Sequence, residues 1–517
     1  MKKLVGFFIV AMMVFPSLAL ASSSDTLIWG RGGDSVTLDL AQATDGESIK
    51  AGIQVLQNLV KFGDNSMNVE PQLATSWKVS KDGKNWTFKL RKGVKFQDGT
   101  DFNAKAVYDS LDRIIDKNHP FHKYGQWKYL SLSLKYVTKI TVIDNYTIRL
   151  TTLIPYAPLI NNLALWLCPI LSPKAMAKYK NQIGMHPVGT GPYKFVDWVK
   201  DDHITLVRND HYWGPRPKLK KIVLKSIPET STRLMALQSG AIDIADDLDP
   251  DSIALVRKAP NLRVKEAPSV NIGYLAINTT RPYFADVRVR RAINYAIDKD
   301  TLIKTLYGGL AIPAKSAFPP SIWSYNNAIV PYAYNPKKAR ALLKAADYDF
   351  NRVIELWAMP VSRAYMPQPI RTAELIQANL AAVGMKTKIV RYDWGTYLKE
   401  TSNGKDDMCM LGWLGGNADP DNFLYGLLSA DSAKVPGAAN VALWSNAEFT
   451  ALVKKAQRTF SKRKRTRYYK KAQMIFHDQA PWVPLVHTKV VRCYSKRVHD
   501  VPLRPNGLNS FEMVWKK

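Results

Sequence analysis

Hydrophobic and polar positions follow two periods along the chain, and each period predicts one kind of element. Residues 76–96 alternate with a period of two, and an Asp-Gly pair in their middle is typical of a hairpin turn. Residues 138–153 predict a second hairpin in the same way. A period near 3.6 follows Asn103, which can cap a helix, and a longer helical pattern covers residues 286–307.

Strands and helices alternate through the rest of the chain, which indicates an α/β protein with mixed sheets. Residues 26–30 predict a buried first strand, and residues 31–48 predict a loop. Further along, a helix over 336–348, a strand over 356–359 and a helix over 373–383 continue the alternation. A chain of this length is enough for two or three domains of roughly 150 residues each.

The first 21 residues are typical of a secretory signal peptide. Two lysines precede an apolar run over residues 4–14, and an Ala-Leu-Ala sequence ends at Ala21. Neither this run nor any later one reaches the roughly 20 apolar residues that span a membrane. We therefore expect cleavage after Ala21 and export of a soluble protein to a bacterial periplasm.

The chain carries a net charge of +30, with its densest basic cluster at residues 462–467. One interpretation is a surface for nucleic acid or an anionic envelope component. The other is a solvated helix face, and a secretory leader argues against a genomic role. In the second interpretation five side chains around the cluster turn inward: Ala456, Phe460, Tyr468, Ala472 and Ile475.

Motifs for catalysis are missing from the sequence. None of the eight histidines belongs to an HExxH motif, and neither GxSxG nor GxxxxGK[ST] occurs. Residues 189–191 (GTG) lack the third glycine of a dinucleotide turn, because Lys194 holds that position. We therefore expect no enzyme activity, no cofactor and no metal site. The three cysteines have no CxxC spacing, and one disulfide among them stays possible: Cys168, Cys409 and Cys493.

Six stretches spread over the chain carry a resemblance to a known family. Their sequences begin LATSWKV, PVGTGPYKF, NDHYWG, VRRAINYAIDK, WAMPVSRAYMP and GWLGGNADPDNF, at residues 73–107, 187–195, 209–214, 289–299, 357–367 and 412–423. In these stretches the chain resembles the extracytoplasmic solute-binding proteins of peptide ABC transporters (family 5). The similarity is strongest to the periplasmic dipeptide-binding members.

The resemblance implies a two-lobed periplasmic-binding-protein fold (type II, cluster C-like) with a two-segment hinge and an extra N-terminal subdomain. It also implies capture of short peptides or peptide-like solutes between the lobes and delivery to permease subunits in the inner membrane. We expect a monomer that binds no nucleic acid. The implied boundaries are 22–57, 189–268 and 487–517 for lobe I, 58–188 for the subdomain, and 269–486 for lobe II.

The resemblance also implies a site for a peptide. Arg363 matches the family position that binds the ligand carboxylate, a role that suits the planar fork of a guanidinium. Tyr365 lies beside it, and Gly412 and Trp413 are expected to line the wall. In relatives an aspartate that binds the ligand ammonium follows the tryptophan by three residues, and here that position is Gly416.

The missing acid leaves three alternatives open, because an unpaired buried charge costs on the order of 2–5 kcal/mol. Asp45 or Glu47, in the cleft-lining loop that includes Gly46, could substitute. Water could remain around the ammonium. The ligand could also lack a free amino group, as a modified peptide, a glutathione-like tripeptide or haem would. Asp419 and Asp421 are predicted to cap a turn instead.

A different class of function is an envelope-surface adaptor with a basic face and a degenerate cleft. Binding through that face would collapse with added salt, whereas a ligand buried between two lobes would respond far less.

Overall fold

The structure is a computed structural model that describes residues 24–517, apart from the side chains of residues 131 and 132. The predicted leader, residues 1–21, lies outside this part. No helix among the described residues is long and apolar enough to cross a membrane.

The strands are short for the most part, and one of them is much longer than the rest. They are β1 (Thr26–Arg31), β2 (Val60–Phe62), β3 (Val69–Pro71), β4 (Ala74–Val79), β5 (Asn85–Leu90), β6 (Val137–Asp144), β7 (Thr147–Thr152), β8 (Tyr193–Val199), β9 (His203–Arg208), β10 (Lys221–Ser226), β11 (Ile244–Ala245), β12 (Leu262–Pro268), β13 (Asn271–Ile277), β14 (Ala311–Pro313), β15 (Val353–Trp357), β16 (Lys386–Val390), β17 (Met408–Leu414), β18 (Trp482–Ser495), β19 (Val498–His499) and β20 (Trp515–Lys516).

The helices begin mostly at Asp, Asn or Ser caps or at a proline in the first turn, as their sequences favour. They are α1 (Gly46–Gly52), α2 (Ala104–Ile115), α3 (Leu130–Ser133), α4 (Leu159–Leu163), α5 (Pro173–Tyr179), α6 (Thr230–Ser239), α7 (Pro250–Lys258), α8 (Pro282–Ala285), α9 (Val287–Ala296), α10 (Lys299–Leu306), α11 (Pro336–Ala345), α12 (Pro369–Ala382), α13 (Trp394–Ser402), α14 (Asp421–Leu428), α15 (Ala447–Gln457) and α16 (Lys462–Gln479).

The long strand β18 connects the two halves of a twelve-stranded mixed sheet. Its first part, including Trp482 and Val486, pairs antiparallel with β13. Its second part, from Lys489 to Ser495, pairs with β12. Where the chain crosses between the halves, Thr488 donates its backbone N–H to Asn271 Oδ1 at 2.9 Å, and Asn271 donates its amide to Thr488 Oγ1 at 2.7 Å.

The segment between β1 and β8 builds a sheet of its own. Strands β4, β5, β7 and β6 form a four-stranded antiparallel sheet, and both predicted hairpins are confirmed within it. Helix α2 packs on this sheet. Asn103 caps this helix, as predicted, because its side chain accepts a hydrogen bond from Ala106 N. The apolar core of this segment includes Trp86, Phe88 and Leu111, and it is separate from the core built by β13, β15 and β17.

The helical pattern predicted over residues 286–307 is two helices, α9 and α10. Ile297 between them has extended dihedrals, and the Asp298 side chain accepts a bond from Thr301 N at 3.0 Å. Asp298 is thus a cap inside the apolar period, and a cap starts a new helix with a new axis. The prediction of one continuous helix was wrong at this residue.

The basic cluster lies on α16, which is a largely solvated helix, as the second interpretation predicts. One member departs from it, because Arg465 is buried and binds Asp419. Ala456 and Ala472 are buried as predicted, but Phe460 is 43% exposed, so its predicted inward orientation was wrong. Tyr468 and Ile475 are half-buried and pack against the core, as predicted, and the fully buried tyrosine of this helix is Tyr469.

The three cysteines are free and buried in the described part of the chain, which answers the open question of a disulfide: Cys168, Cys409 and Cys493.

Candidate functional site

A cavity of about 770 Å³ lies between the β13–β17 half of the molecule and the segment that carries residues 129–162. This volume falls within the range typical of small-molecule sites. The two sides touch beside it, where Asn161 donates to Asn417 O at 2.9 Å and Ala157 N donates to Gln457 O at 2.7 Å. We call it the aromatic cavity, because its walls include Tyr136, Tyr156, Tyr365, Trp394, Trp413 and Tyr425.

Arg363 lines this cavity from the loop that follows β15. The loop is held in a tight turn, because Arg363 and Met366 exchange backbone hydrogen bonds of 3.1 and 2.8 Å. The guanidinium carbon lies 5.2 Å from the centre of the Trp394 ring, a cation–π distance. The side chain is exposed and has no carboxylate partner among the ion pairs of the described residues. No acid in the described part of the chain neutralises the guanidinium, which also interacts with the Tyr365 hydroxyl, so it can bind an anionic ligand group.

Tyr365 and Gly412 pack against each other in the same wall. A Cβ atom at Gly412 would lie only 2.2 Å from Tyr365 Cδ2, so only glycine permits this approach. The backbone carbonyl of Tyr365 accepts a bond of 3.1 Å from the Tyr307 hydroxyl. Burial raises the pKa of Tyr365 to about 12, against the opposing effect of Arg363. The phenol therefore stays neutral and can donate or accept a hydrogen bond.

Trp413 follows at the end of β17 and lines the aromatic cavity. Its indole N–H donates to Asn422 Oδ1 at 2.6 Å, which joins the strand to the first turn of α14. The ring is therefore fixed in orientation and presents apolar surface to the cavity. Thus the structure brings together four of the predicted site residues: Arg363, Tyr365, Gly412 and Trp413.

Gly416 is buried and faces a different neighbour. A Cβ atom at this position would lie 3.1 Å from Trp166 Cζ3 and 3.3 Å from Leu165 Cδ2. Gly416 does not belong to the described lining of the aromatic cavity. The space that a side chain at this position would need is occupied by the Trp166 ring.

Asp45, Gly46 and Glu47 also lie outside the described lining of the cavity. Asp45 caps α1, where its carboxylate accepts bonds of 2.7 Å from both the backbone N–H and the hydroxyl of Ser48. Gly46 begins that helix, although the sequence predicted loop up to residue 48. Glu47 accepts a bond of 2.9 Å from Lys50 Nζ, and burial raises the pKa of its carboxyl.

The two aspartates of the DPDNF sequence have different environments. Asp419 accepts bonds of 2.8 and 2.9 Å from Arg465 Nη2 and also caps the backbone N–H of Asp421 at 3.0 Å. Asp421 is 5% exposed and lines the aromatic cavity. Its Oδ2 accepts from Gln457 at 3.2 Å and from the Tyr156 hydroxyl at 3.4 Å, whereas its Oδ1 has no hydrogen-bond partner among residues 24–517.

The prediction that Asp421 caps a turn was therefore wrong, whereas for Asp419 it was right. Burial, reinforced by the charge of Asp419, raises the pKa of Asp421 to about 7. No cluster of three His, Cys, Asp or Glu side chains suited to a metal ion occurs among residues 24–517.

Comparisons with known proteins agree with this architecture. The family model of bacterial extracellular solute-binding proteins, family 5 Middle, matches residues 68–434. The dipeptide-binding protein of Escherichia coli (strain K12) is 36% identical, with 98% of this chain and 97% of that protein covered. Heme-binding protein A of Haemophilus influenzae is also 36% identical, with 95% and 92% covered.

Among solved structures, the ABC transporter-associated periplasmic binding protein DppA of Helicobacter pylori, in complex with the peptide STSA, is 37% identical. It aligns with a TM-score of 0.81 over 95% of this chain and 98% of its own. The two-lobed α/β fold implied by the resemblance is thereby confirmed. The chain belongs to the bacterial extracellular solute-binding proteins of family 5.

Proposed function

We propose that this protein captures short peptides in the aromatic cavity and delivers them to the permease of an ABC importer. The single observation that carries the proposal is the position of Arg363, whose guanidinium lines the aromatic cavity with no acidic partner among the described ion pairs. Peptide-binding relatives that are 36% and 37% identical to this chain support peptides as the class of ligand. Members of the family are binding proteins, and we propose that this one likewise performs no chemistry on its ligand.

The arrangement of the sheet supports a hinged pair of lobes. We propose the lobe boundaries that the sequence implies, with crossings near residues 268–271 and 486–489. These crossings coincide with the change of partner along β18, from β13 to β12. Because both crossings are short and lie side by side, the two lobes can rotate about them while each lobe keeps its own core packed. Closure that carries the subdomain along with lobe I would then remove water from a ligand held between the subdomain and lobe II.

Arg363 would bind the peptide carboxylate through two parallel charge-assisted hydrogen bonds. The Trp394 ring beneath the guanidinium and the turn closed by Met366 restrict the loop before a ligand arrives. Less ordering is then required on binding, so more of the interaction energy appears as affinity. The tyrosines and tryptophans of the walls offer apolar faces with polar edges, which suits side chains of varied size.

The relative bound to STSA supports peptides longer than two residues as ligands, and the cavity volume is compatible with them. The predicted leader and the periplasmic description of that relative support export to the periplasm. Its association with an ABC transporter supports the permease as partner.

Titration calorimetry with a set of dipeptides tests the proposal. We expect Arg363→Ala to weaken binding at least tenfold, which corresponds to about 1.4 kcal/mol. Arg391→Ala is a matched control. Like Arg363, Arg391 is a solvent-exposed arginine of lobe II, but it lies outside the described cavity lining. A dipeptide amide, which lacks the carboxylate, should bind the native protein and Arg363→Ala equally. Unchanged dipeptide affinity in Arg363→Ala would remove this residue from the site.

A further inference from the structure

We propose that Asp421 binds the ammonium group of the captured peptide, in place of the acid that is missing at residue 416. The inference rests on the proposed function, since it assigns the second charged end of the same ligand. It makes the cavity complementary to a zwitterion, with Arg363 and Asp421 as its opposite charges beside a third charged lining residue, Lys135.

The other candidate acids are unsuitable in the structure. The carboxylate of Asp45 is used in capping α1, and that of Glu47 is held by Lys50. Both lie outside the described cavity lining. Asp419 is nearer, but its two oxygens are already bound by Arg465. A carboxylate so paired has little remaining attraction for a second cation.

Asp421 differs from these acids in two ways. It is the one acidic residue in the described lining of the aromatic cavity. It also supplies the one polar side-chain atom of that lining, Oδ1, that is buried and lacks a hydrogen-bond partner in the described structure. A buried carboxylate oxygen without a donor is costly, and an ammonium group brings three donors to it.

The surroundings of Asp421 form a polar corner in an otherwise aromatic space. Tyr156, Asn162 and Gln457 line the cavity beside it, and Asn162 donates to the Tyr156 hydroxyl at 3.4 Å. Side-chain oxygens of this corner can accept further N–H bonds from a ligand. An ammonium group placed here would therefore meet one charge and several neutral acceptors.

Four ionisable groups face Asp421: Asp419, Arg465, Tyr156 and Tyr469. Burial raises the pKa of Asp421 to about 7, Asp419 adds to the rise, and Arg465 opposes it. The two tyrosines have pKa values raised well above 10 and stay neutral. An ammonium group favours the ionised carboxylate, so binding at pH 6 should release a proton from Asp421.

Calorimetry with a free dipeptide and its N-acetylated form tests the assignment. We expect Asp421→Asn to weaken the free dipeptide at least tenfold and to change the affinity of the acetylated form less than twofold. Asp300→Asn, at an exposed aspartate of the same half, is the matched control and should change neither affinity. Equal weakening of both ligands would overturn the proposal, because it would indicate a purely structural role beside Tyr156 and Gln457.

A second measurement needs no variant. Titrations of the native protein at pH 6, in two buffers of different ionisation enthalpy, should show proton release with the free dipeptide and none with the acetylated form. Equal proton release with both would contradict the proposal even if Asp421→Asn failed to fold. If the native protein bound no peptide at all, the proposed function itself would fail, and the two failures are thus distinguishable.

Discussion

Gly412 shows how one missing side chain can position a binding residue. The Tyr365 ring occupies the space that a Cβ at Gly412 would fill, and Tyr365 lies two residues from Arg363 in a turn closed by Met366. The glycine therefore permits the loop that carries Arg363 to pack closely against the end of β17. A Gly-rich sequence at the end of a strand indicates close backbone approach, but the partner comes from a loop about 47 residues earlier and is visible only in the fold.

We expect Gly412→Ala to lower the free energy of unfolding by about 1–3 kcal/mol, the usual cost of overpacking. Peptide affinity should fall about tenfold as well, because Tyr365 and Arg363 must move together. Denaturant unfolding and calorimetry measure the two effects. Gly426→Ala is the control for stability: its Cβ would meet no atom within 4 Å, and alanine favours the helix α14. Unchanged unfolding and affinity in Gly412→Ala would contradict the packing argument.

The roles of Asp419 and Asp421 illustrate what sequence reasoning could not predict. Both residues belong to a short Asp-Pro-Asp sequence that is typical of a capped turn, and Asp419 does cap one. What separates them is Arg465, which comes 46 residues later and binds only the first. The chemistry of Asp421 thus depends on long-range packing, for which the local sequence has no signal.

Helix α16 combines a solvated basic surface with one buried ion pair. Arg465 contacts Asp419 and the hydroxyl of Tyr469, and its guanidinium lies 4.9 Å from the Trp323 ring centre. We expect Arg465→Ala to destabilise the protein by about 3–5 kcal/mol, because it leaves the Asp419 charge buried without a partner. Thermal or denaturant unfolding measures this loss.

Arg463→Ala provides the comparison, because Arg463 is exposed on the same helix, two residues away. It should change stability by no more than about 0.5 kcal/mol. Equal losses of stability in the two variants would mean that the ion pair between Arg465 and Asp419 stabilises the protein no more than an exposed charge does.

The elements were predicted best where a regular hydrophobic period ends at a clear local signal, either a turn sequence or a helix cap. The hairpins over 76–96 and 138–153 and the helix capped by Asn103 have these local signals, and the structure contains them. The prediction of one helix over 286–307 was wrong because Asp298 caps a second helix, although the apolar period continues across this residue. In the sequence, an aspartate that caps a helix cannot be told from one that is exposed on a helix surface. The extended dihedrals of Ile297 identify Asp298 as a cap.

The shape of the whole molecule was predictable only through the family resemblance. Alternating elements indicate an α/β protein, but they do not show that β18 pairs with strands of both halves or that Asn271 and Thr488 join the crossings. The aromatic cavity likewise combines residues from 129–162 with residues near 363 and 413. Such a site has no contiguous pattern in the chain, so composition and periodicity alone cannot reveal it.

A crystal structure of the protein grown with a dipeptide would show whether the aromatic cavity is the site of capture. We expect the peptide inside this cavity, with its carboxylate accepting two bonds of about 2.7–2.9 Å from Arg363 and its ammonium beside Asp421. Both the subdomain and lobe II should contact the ligand. A peptide bound elsewhere, or a closed form in which the protein's own side chains fill the cavity, would contradict the proposed function.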